Sequence, residues 1–142
     1  MYMEKALLLA KEAAAEGEIP VGAVVVKNKK IIGEGRNRRE KEKTPLAHAE
    51  LEAIHNAAKA LGDWRLSGCE LYVTLEPCAM CAAAIVTSRI SKLVFGAYDK
   101  NAGGVISGKN TFDNFENKVQ IVGGYTEKEC RKVLEDFFEK LR

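Results

Sequence analysis

Two short motifs thirty residues apart constrain this chain most: His48-Ala49-Glu50 and Pro77-Cys78-Ala79-Met80-Cys81. A Cys-x-x-Cys at a helix start places two sulfurs on one side, one turn apart, within reach of a single ion. One imidazole brings the protein ligands to three. Zinc prefers four, so a corner is left for water, as in a catalytic rather than a structural site. Water activated in this way has a pKa near 7 instead of about 15.7. Any fold for this sequence must bring the two segments to one point.

The local pattern places both motifs at helix starts. Thr44 reads as an N-cap with Pro45 at the first helical position of a helix running through Leu46–Leu61, closed by Gly62. Glu76-Pro77 opens another helix, from Cys78 to about Ser88. Free N–H groups at such ends favour thiolate over thiol. Glu50, two residues after His48, points away from the imidazole's direction. It is a poor second ligand but a well-placed proton carrier between an attacking water and a leaving amine.

The remaining segments place these helices in an α/β chain. Met3–Glu16 reads as a helix stopped by Gly17. Val21–Val26 and Ile31–Gly35 read as a hairpin around Lys27-Asn28-Lys29-Lys30, and Arg36–Lys43 as a loop. Cys69–Leu75, Lys92–Tyr98 and Val119–Val122 read as further strands. Asn101–Asn117 is irregular, and Thr126 with Glu129 predicts a capping box before a last helix reaching Lys140. The expected architecture is a three-layer α/β/α sandwich around a mixed five-stranded sheet, in a single domain over residues 1–142.

Composition excludes some classes. The charge is +2, from 22 Lys plus Arg against 20 Asp plus Glu, which gives no strong general pull on nucleic acid. No run is long enough to span a membrane, and Met1–Leu9 lacks a signal-peptide pattern, so a reducing cytoplasm is expected. There, Cys69 and Cys130 read as packing thiols. His55 lies two turns from His48, too far for the same ion, and reads as structural. Arg36, Arg38, Arg39, Lys41 and Lys43 form a basic stretch interrupted by Glu40 and Glu42, which favours a solvated loop over an RNA-binding patch. Trp64 and Phe112 suit either base stacking or packing.

The pairing of His-x-Glu with Pro-Cys-x-x-Cys is the signature of zinc-dependent nucleobase deaminases. The chain resembles the bacterial tRNA-specific adenosine deaminase family, within the cytidine deaminase-like superfamily, along nearly its whole length. The resemblance is carried by Pro20-Val21-Gly22-Ala23-Val24, Gly33-Glu34-Gly35, Asn37, His48-Ala49-Glu50, Tyr72–Cys78, Met80-Cys81, Phe95-Gly96-Ala97 with Asp99, and Phe137-Phe138. It implies one Zn2+ per subunit, held by His48, Cys78 and Cys81, with Glu50 catalytic. It implies hydrolysis of a wobble adenosine in a tRNA anticodon arm to inosine. Asn37 would hydrogen-bond a flipped-out nucleotide, Val21 line the base pocket, Glu76 and Asp99 lie near its rim, and Phe137 and Phe138 approach flanking nucleotides. It implies a homodimer with the pocket near the subunit interface. The chain departs from the family pattern at Gly103–Gly108 and at Asn117-Lys118-Val119. These departures motivate a second reading, a deaminase of a free base or nucleoside such as cytosine or guanine. A third, a non-catalytic zinc-stabilised domain, needs a fourth protein ligand, and the sequence offers no good candidate.

Overall fold

The structure, a computed structural model, describes residues 1–108 and 110–141. Helix α1 (Tyr2–Ala15) leads into the hairpin β1 (Gly22–Lys27) and β2 (Lys30–Arg36). Asn28 and Lys29, both at positive φ, make its two-residue turn. A single turn, α2 (Arg39–Glu42), precedes α3 (Ala49–Leu61). Then come β3 (Glu70–Leu75), α4 (Ala79–Thr87), β4 (Lys92–Ala97), β5 (Gln120–Val122) and α5 (Glu127–Lys140). The sheet order is β2-β1-β3-β4-β5. β1 runs antiparallel to β2 and β3, and β3, β4 and β5 run parallel. The expected mixed five-stranded sheet with helices on both faces is present.

Alternation in the strands sorts the two faces. Ala23 and Val25 of β1, Leu71 and Val73 of β3, and Leu93 and Phe95 of β4 pack against Ala49, Ala53 and Ala57 of α3 and Ala82 and Ile85 of α4. On the other face Val94 and Ala97 meet Met3 and Ala6 of α1 and Cys130 of α5, and Val24 and Val26 meet Leu9. Side chains two apart along a strand share a face, which is why valines adjacent in sequence serve opposite layers. The alanines of α3, spaced by four, form one small-residue stripe. That stripe lies against Gly33 and Gly35 of β2, where a Cβ on Gly35 would stand 2.2 Å from the Ala49 carbonyl oxygen. The close approach fixes the start of α3, and His48 with it.

Four local expectations are corrected. First, α3 begins at Ala49, not at Pro45, and His48 is its N-cap residue. Thr44 Oγ1 instead accepts from Leu46 N, at 3.2 Å, in a tight turn. Leu46 is 59% exposed, so extending the helix there would bury nothing. Second, Arg36–Lys43 is not simply a loop. Arg36 ends β2, and Glu18, almost wholly buried, accepts from the Glu40 and Lys41 N–H groups at 3.1 and 2.9 Å, holding α2 in place. Third, Thr126 makes no side-chain cap to α5. Its φ of 51° turns the hydroxyl toward the Cys130 sulfur, 3.6 Å away, so the capping box does not form. Fourth, the irregular stretch 101–117 contains a short 3-10 turn at Thr111–Asn114. Phe112 there is buried, which settles it as a packing residue, whereas Trp64 is half exposed between the guanidinium groups of Arg65 and Arg89. Cys69 and Cys130 are buried free thiols, and His55 sits exposed on α3.

Candidate active site

Parallel strands β3 and β4 end side by side, and the loops leaving them, Glu76–Cys78 and Tyr98–Ser107, form one wall of a cavity of about 230 Å³. Val21, just before β1, and Asn37, just after β2, form another part of the lining, together with Arg39, His48, Glu50, Asp99 and Ala102. Open α/β sheets place ligand sites at the carboxyl ends of parallel strands, where loops diverge.

His48 and Cys78 are the N-cap residues of α3 and α4, and Cys81 lies in the first turn of α4. The two helix starts meet. His48 Nδ1 lies 3.8 Å from Cys78 Sγ and 3.5 Å from Cys81 Sγ. All three donor atoms fall within 4.8 Å of one another, so one metal ion can touch all of them. Among the described residues no other His, Cys, Asp or Glu joins this group.

These three groups are linked by hydrogen bonds that set their protonation. A hydrogen bond from Cys81, reinforced by His48, pulls the Cys78 thiol down to about 3, so its sulfur is a thiolate. The bond to Cys78 and burial push Cys81 well up, keeping it a thiol. Hydrogen bonding to the Cys78 thiolate raises His48. The set is therefore half prepared as metal ligands, with one sulfur already ionised.

Glu50 is 4% exposed, and burial raises its carboxyl to about 7. It lines the same cavity yet stands outside the three-donor group. A carboxyl that titrates near neutrality both takes and returns a proton at little cost.

Asn37 is buried and does a job that the sequence did not suggest. Its Oδ1 accepts from Ala49 N at 3.0 Å, and its Nδ2 donates to the Ile19 carbonyl at 3.1 Å. It thus caps α3 from twelve residues away, satisfying an N–H that no neighbouring side chain reaches. One amide hydrogen remains unspent.

Glu76 is 2% exposed, and its carboxylate turns from the cavity into the following loop. Oε2 accepts from the backbone of Val105, Ile106 and Ser107 at 3.2, 2.7 and 2.9 Å, and Oε1 accepts from Asp99 N and the Ser107 hydroxyl. Burial alone would raise this carboxyl, but the hydrogen bonds outweigh it and hold Glu76 below its ordinary value. The stretch that departs from the family pattern, Gly103–Gly108, is thereby pinned. Gly104 N donates to the Pro77 carbonyl, and a Cβ on Gly104 would come within 2.5 Å of Ala79 N, so the loop rests directly on the start of α4.

Asp99 lies between the cavity and a larger groove of about 870 Å³ that runs to α5. Phe138, partly exposed, lines that groove with Tyr98, Lys100 and Arg131. Phe137 does not line it and packs edge-on against Phe138 at 5.4 Å. The structure thus gathers His48, Glu50, Cys78, Asn37, Val21, Glu76 and Asp99 around one cavity, sets Cys81 behind His48 and Cys78, and leaves Phe138 on the adjoining groove with Phe137 packed against it.

Comparison with known proteins agrees with this geometry. A sequence model described as MafB19-like deaminase matches residues 1–142. A tRNA-specific adenosine deaminase of Bacillus subtilis is 47% identical, over all of this chain and 89% of that protein. One from Aquifex aeolicus is 46% identical over 99% of this chain and 94% of its own. A solved structure from a study of A-to-I editing by tRNA:A34 deaminases superposes with a TM-score of 0.91 at 41% identity, covering 94% of this chain and 98% of that one.

Proposed function

This chain belongs to the MafB19-like deaminase family, and from that premise we propose that it is a zinc-dependent enzyme converting adenosine to inosine at the wobble position of a tRNA anticodon arm. The observation that carries the reading is the triangle of His48 Nδ1, Cys78 Sγ and Cys81 Sγ beside a buried carboxyl poised near neutrality. An imidazole nitrogen about 2.0 Å and a thiolate about 2.3 Å from one tetrahedral ion stand about 3.5 Å apart. The separations here, 3.5 and 3.8 Å, support that fit. His48, Cys78 and Cys81 would hold the ion, and the set is one ligand short of a closed structural site.

Zinc, when bound, makes water acidic enough to attack at neutral pH. The protein's own groups do the rest. Glu50 takes the proton from the attacking water and delivers it to the leaving amine. Overall a C–O bond forms at the purine carbon, its C–N bond breaks, and adenosine plus water becomes inosine plus ammonia. The cavity of about 230 Å³ takes one base and not a helix, so the target nucleotide must be turned out of its stack. Val21 lines the pocket and the unspent amide hydrogen of Asn37 is available to the nucleotide. Asp99 stands where the cavity opens to the groove, and Phe138 offers a face there for a flanking base, with Phe137 supporting it. Glu76 acts by shaping the wall.

The reading also includes a cytoplasmic homodimer. Among the described residues no helix is long and apolar enough to cross a membrane. Leu46 and Ile106, exposed beside the His48 and Glu76 segments, offer apolar contacts to a second copy, and sedimentation of the zinc-loaded protein tests this.

The deciding experiment incubates the zinc-loaded protein with an anticodon stem-loop carrying a wobble adenosine, alongside free cytosine and guanine. Inosine in the RNA is the expected product. Ammonia from a free base with no inosine would reject the RNA reading.

A further inference from the structure

The basic stretch after β2 is two sets of cations, not one. Arg36 pairs with Glu12 at 3.0 Å and Glu16 at 2.9 Å, Arg38 with Glu52 at 2.8 Å, and Lys41 with Glu16 at 3.5 Å. Arg36 ties the end of β2 to α1, Arg38 ties the N-cap of α2 to α3, and Lys41 ties α2 to the C-cap of α1. Arg39 and Lys43 make no ion pair among the described residues. Arg39 is only partly exposed, and its side chain joins the lining of the catalytic cavity. It also lines a neighbouring depression of about 450 Å³, with Lys43, Thr44, Pro45 and Glu40. The Glu40 carboxylate forms no ion pair with either cation, and its backbone N–H is held by Glu18.

The backbone that presents this pair is fixed. Glu18 grips the first N–H groups of α2, and Lys43 closes the turn at φ 53°, with Thr44 N donating to the Arg39 carbonyl at 3.2 Å. A non-glycine residue at positive φ persists only where its surroundings impose it. The result is a preset positive shelf on one side of a base-sized cavity, on a protein whose overall charge of +2 gives little general attraction to a polyanion.

We propose that Arg39 and Lys43 bind the phosphate backbone of an RNA chain next to the nucleotide whose base enters the cavity. This rests on the reading of an RNA substrate above. The guanidinium fork matches a phosphate in two bonds, and the ammonium adds a point charge. A free base has no phosphate for the shelf, so the pair favours a nucleotide within a chain over a free base, which zinc chemistry alone does not do.

The test is equilibrium binding of a fluorescent anticodon stem-loop to zinc-loaded protein across a salt series. Wild type is compared with R39Q/K43Q, each single variant, the charge-conserving R39K/K43R and a remote lysine control, K59Q. Each backbone phosphate neutralised on a single strand contributes about 0.7 to the slope of log affinity against log salt, so R39Q/K43Q should lower it by about 1.4 and weaken low-salt binding at least about tenfold. The single variants should each take about half of the slope, R39K/K43R should restore it, and K59Q should leave it unchanged. An unchanged slope in R39Q/K43Q, or no salt-dependent binding by wild type, overturns the proposal. Inosine is measured separately. Binding that depends on the pair, with no inosine formed, would reject the proposed function and leave the shelf standing.

Discussion

Replacing Glu76 by Gln keeps the shape of the side chain and removes its charge, which isolates what that carboxylate does. In the native protein it accepts four backbone N–H groups and one hydroxyl. Glutamine can turn its carbonyl toward Val105, Ile106 and Ser107, keeping those three bonds in neutral form. Its NH2 then faces the Asp99 N–H, a donor against a donor, while the Ser107 hydroxyl can rotate to accept. Hydrogen bonds to a charged group contribute about 1.5–3 kcal/mol each, roughly twice a neutral one. One bond lost and three weakened give several kcal/mol in sum, and relaxation of the loop into water reduces this to about 2–3 kcal/mol. In a chain of this size that lowers Tm by about 10 °C. Acid supplies the second half of the test. The folded Glu76 carboxyl titrates below its ordinary value of 4.5, so its stabilisation is complete above that pH and is lost as pH falls through the lower, folded value. Urea denaturation of both proteins from about pH 7 to about pH 3, with zinc content followed in parallel, should show the gap between them closing in acid. Contributions from Glu50 are common to both and cancel. A gap that stays constant to about pH 3, or one under about 0.5 kcal/mol at neutrality, would refute the argument that charge holds the loop.

Other substitutions probe the remaining links. Glu50→Gln should keep zinc, measured by metal analysis, and lower kcat by about 10²–10⁴, the usual contribution of a positioned proton carrier. Cys81→Ala should abolish tight zinc binding and lower Tm, because metal binding and folding are coupled; metal analysis and calorimetry read both. Gly35→Ala puts a Cβ 2.2 Å from the Ala49 carbonyl, so α3 must shift. The expected cost is about 1–3 kcal/mol by urea denaturation, with weaker zinc affinity because His48 moves too.

Chemistry was legible in the sequence because it depends on residue type and short spacing. Cys-x-x-Cys at a helix start, His-x-Glu at another and the alternation of strands are local patterns, and each survives folding unchanged. The valine run at 24–26 had to be a strand, and Cys78 and Cys81 had to share a side. What tertiary structure decided was which partner each polar group would find. Thr44 and Thr126 have the composition of helix caps, yet α3 is capped by Asn37 across the chain and Thr126 turns to a sulfur. The five cations of the basic stretch look alike in one dimension; only the placement of Glu12, Glu16 and Glu52 separates the three that are neutralised from the two that make no ion pair among the described residues. Glu76 reads as a rim carboxylate until the loop 99–107 folds over it. Hydrogen bonds and ion pairs act over a few ångströms in space, regardless of separation along the chain, so sequence alone set the reagents and the fold set their partners.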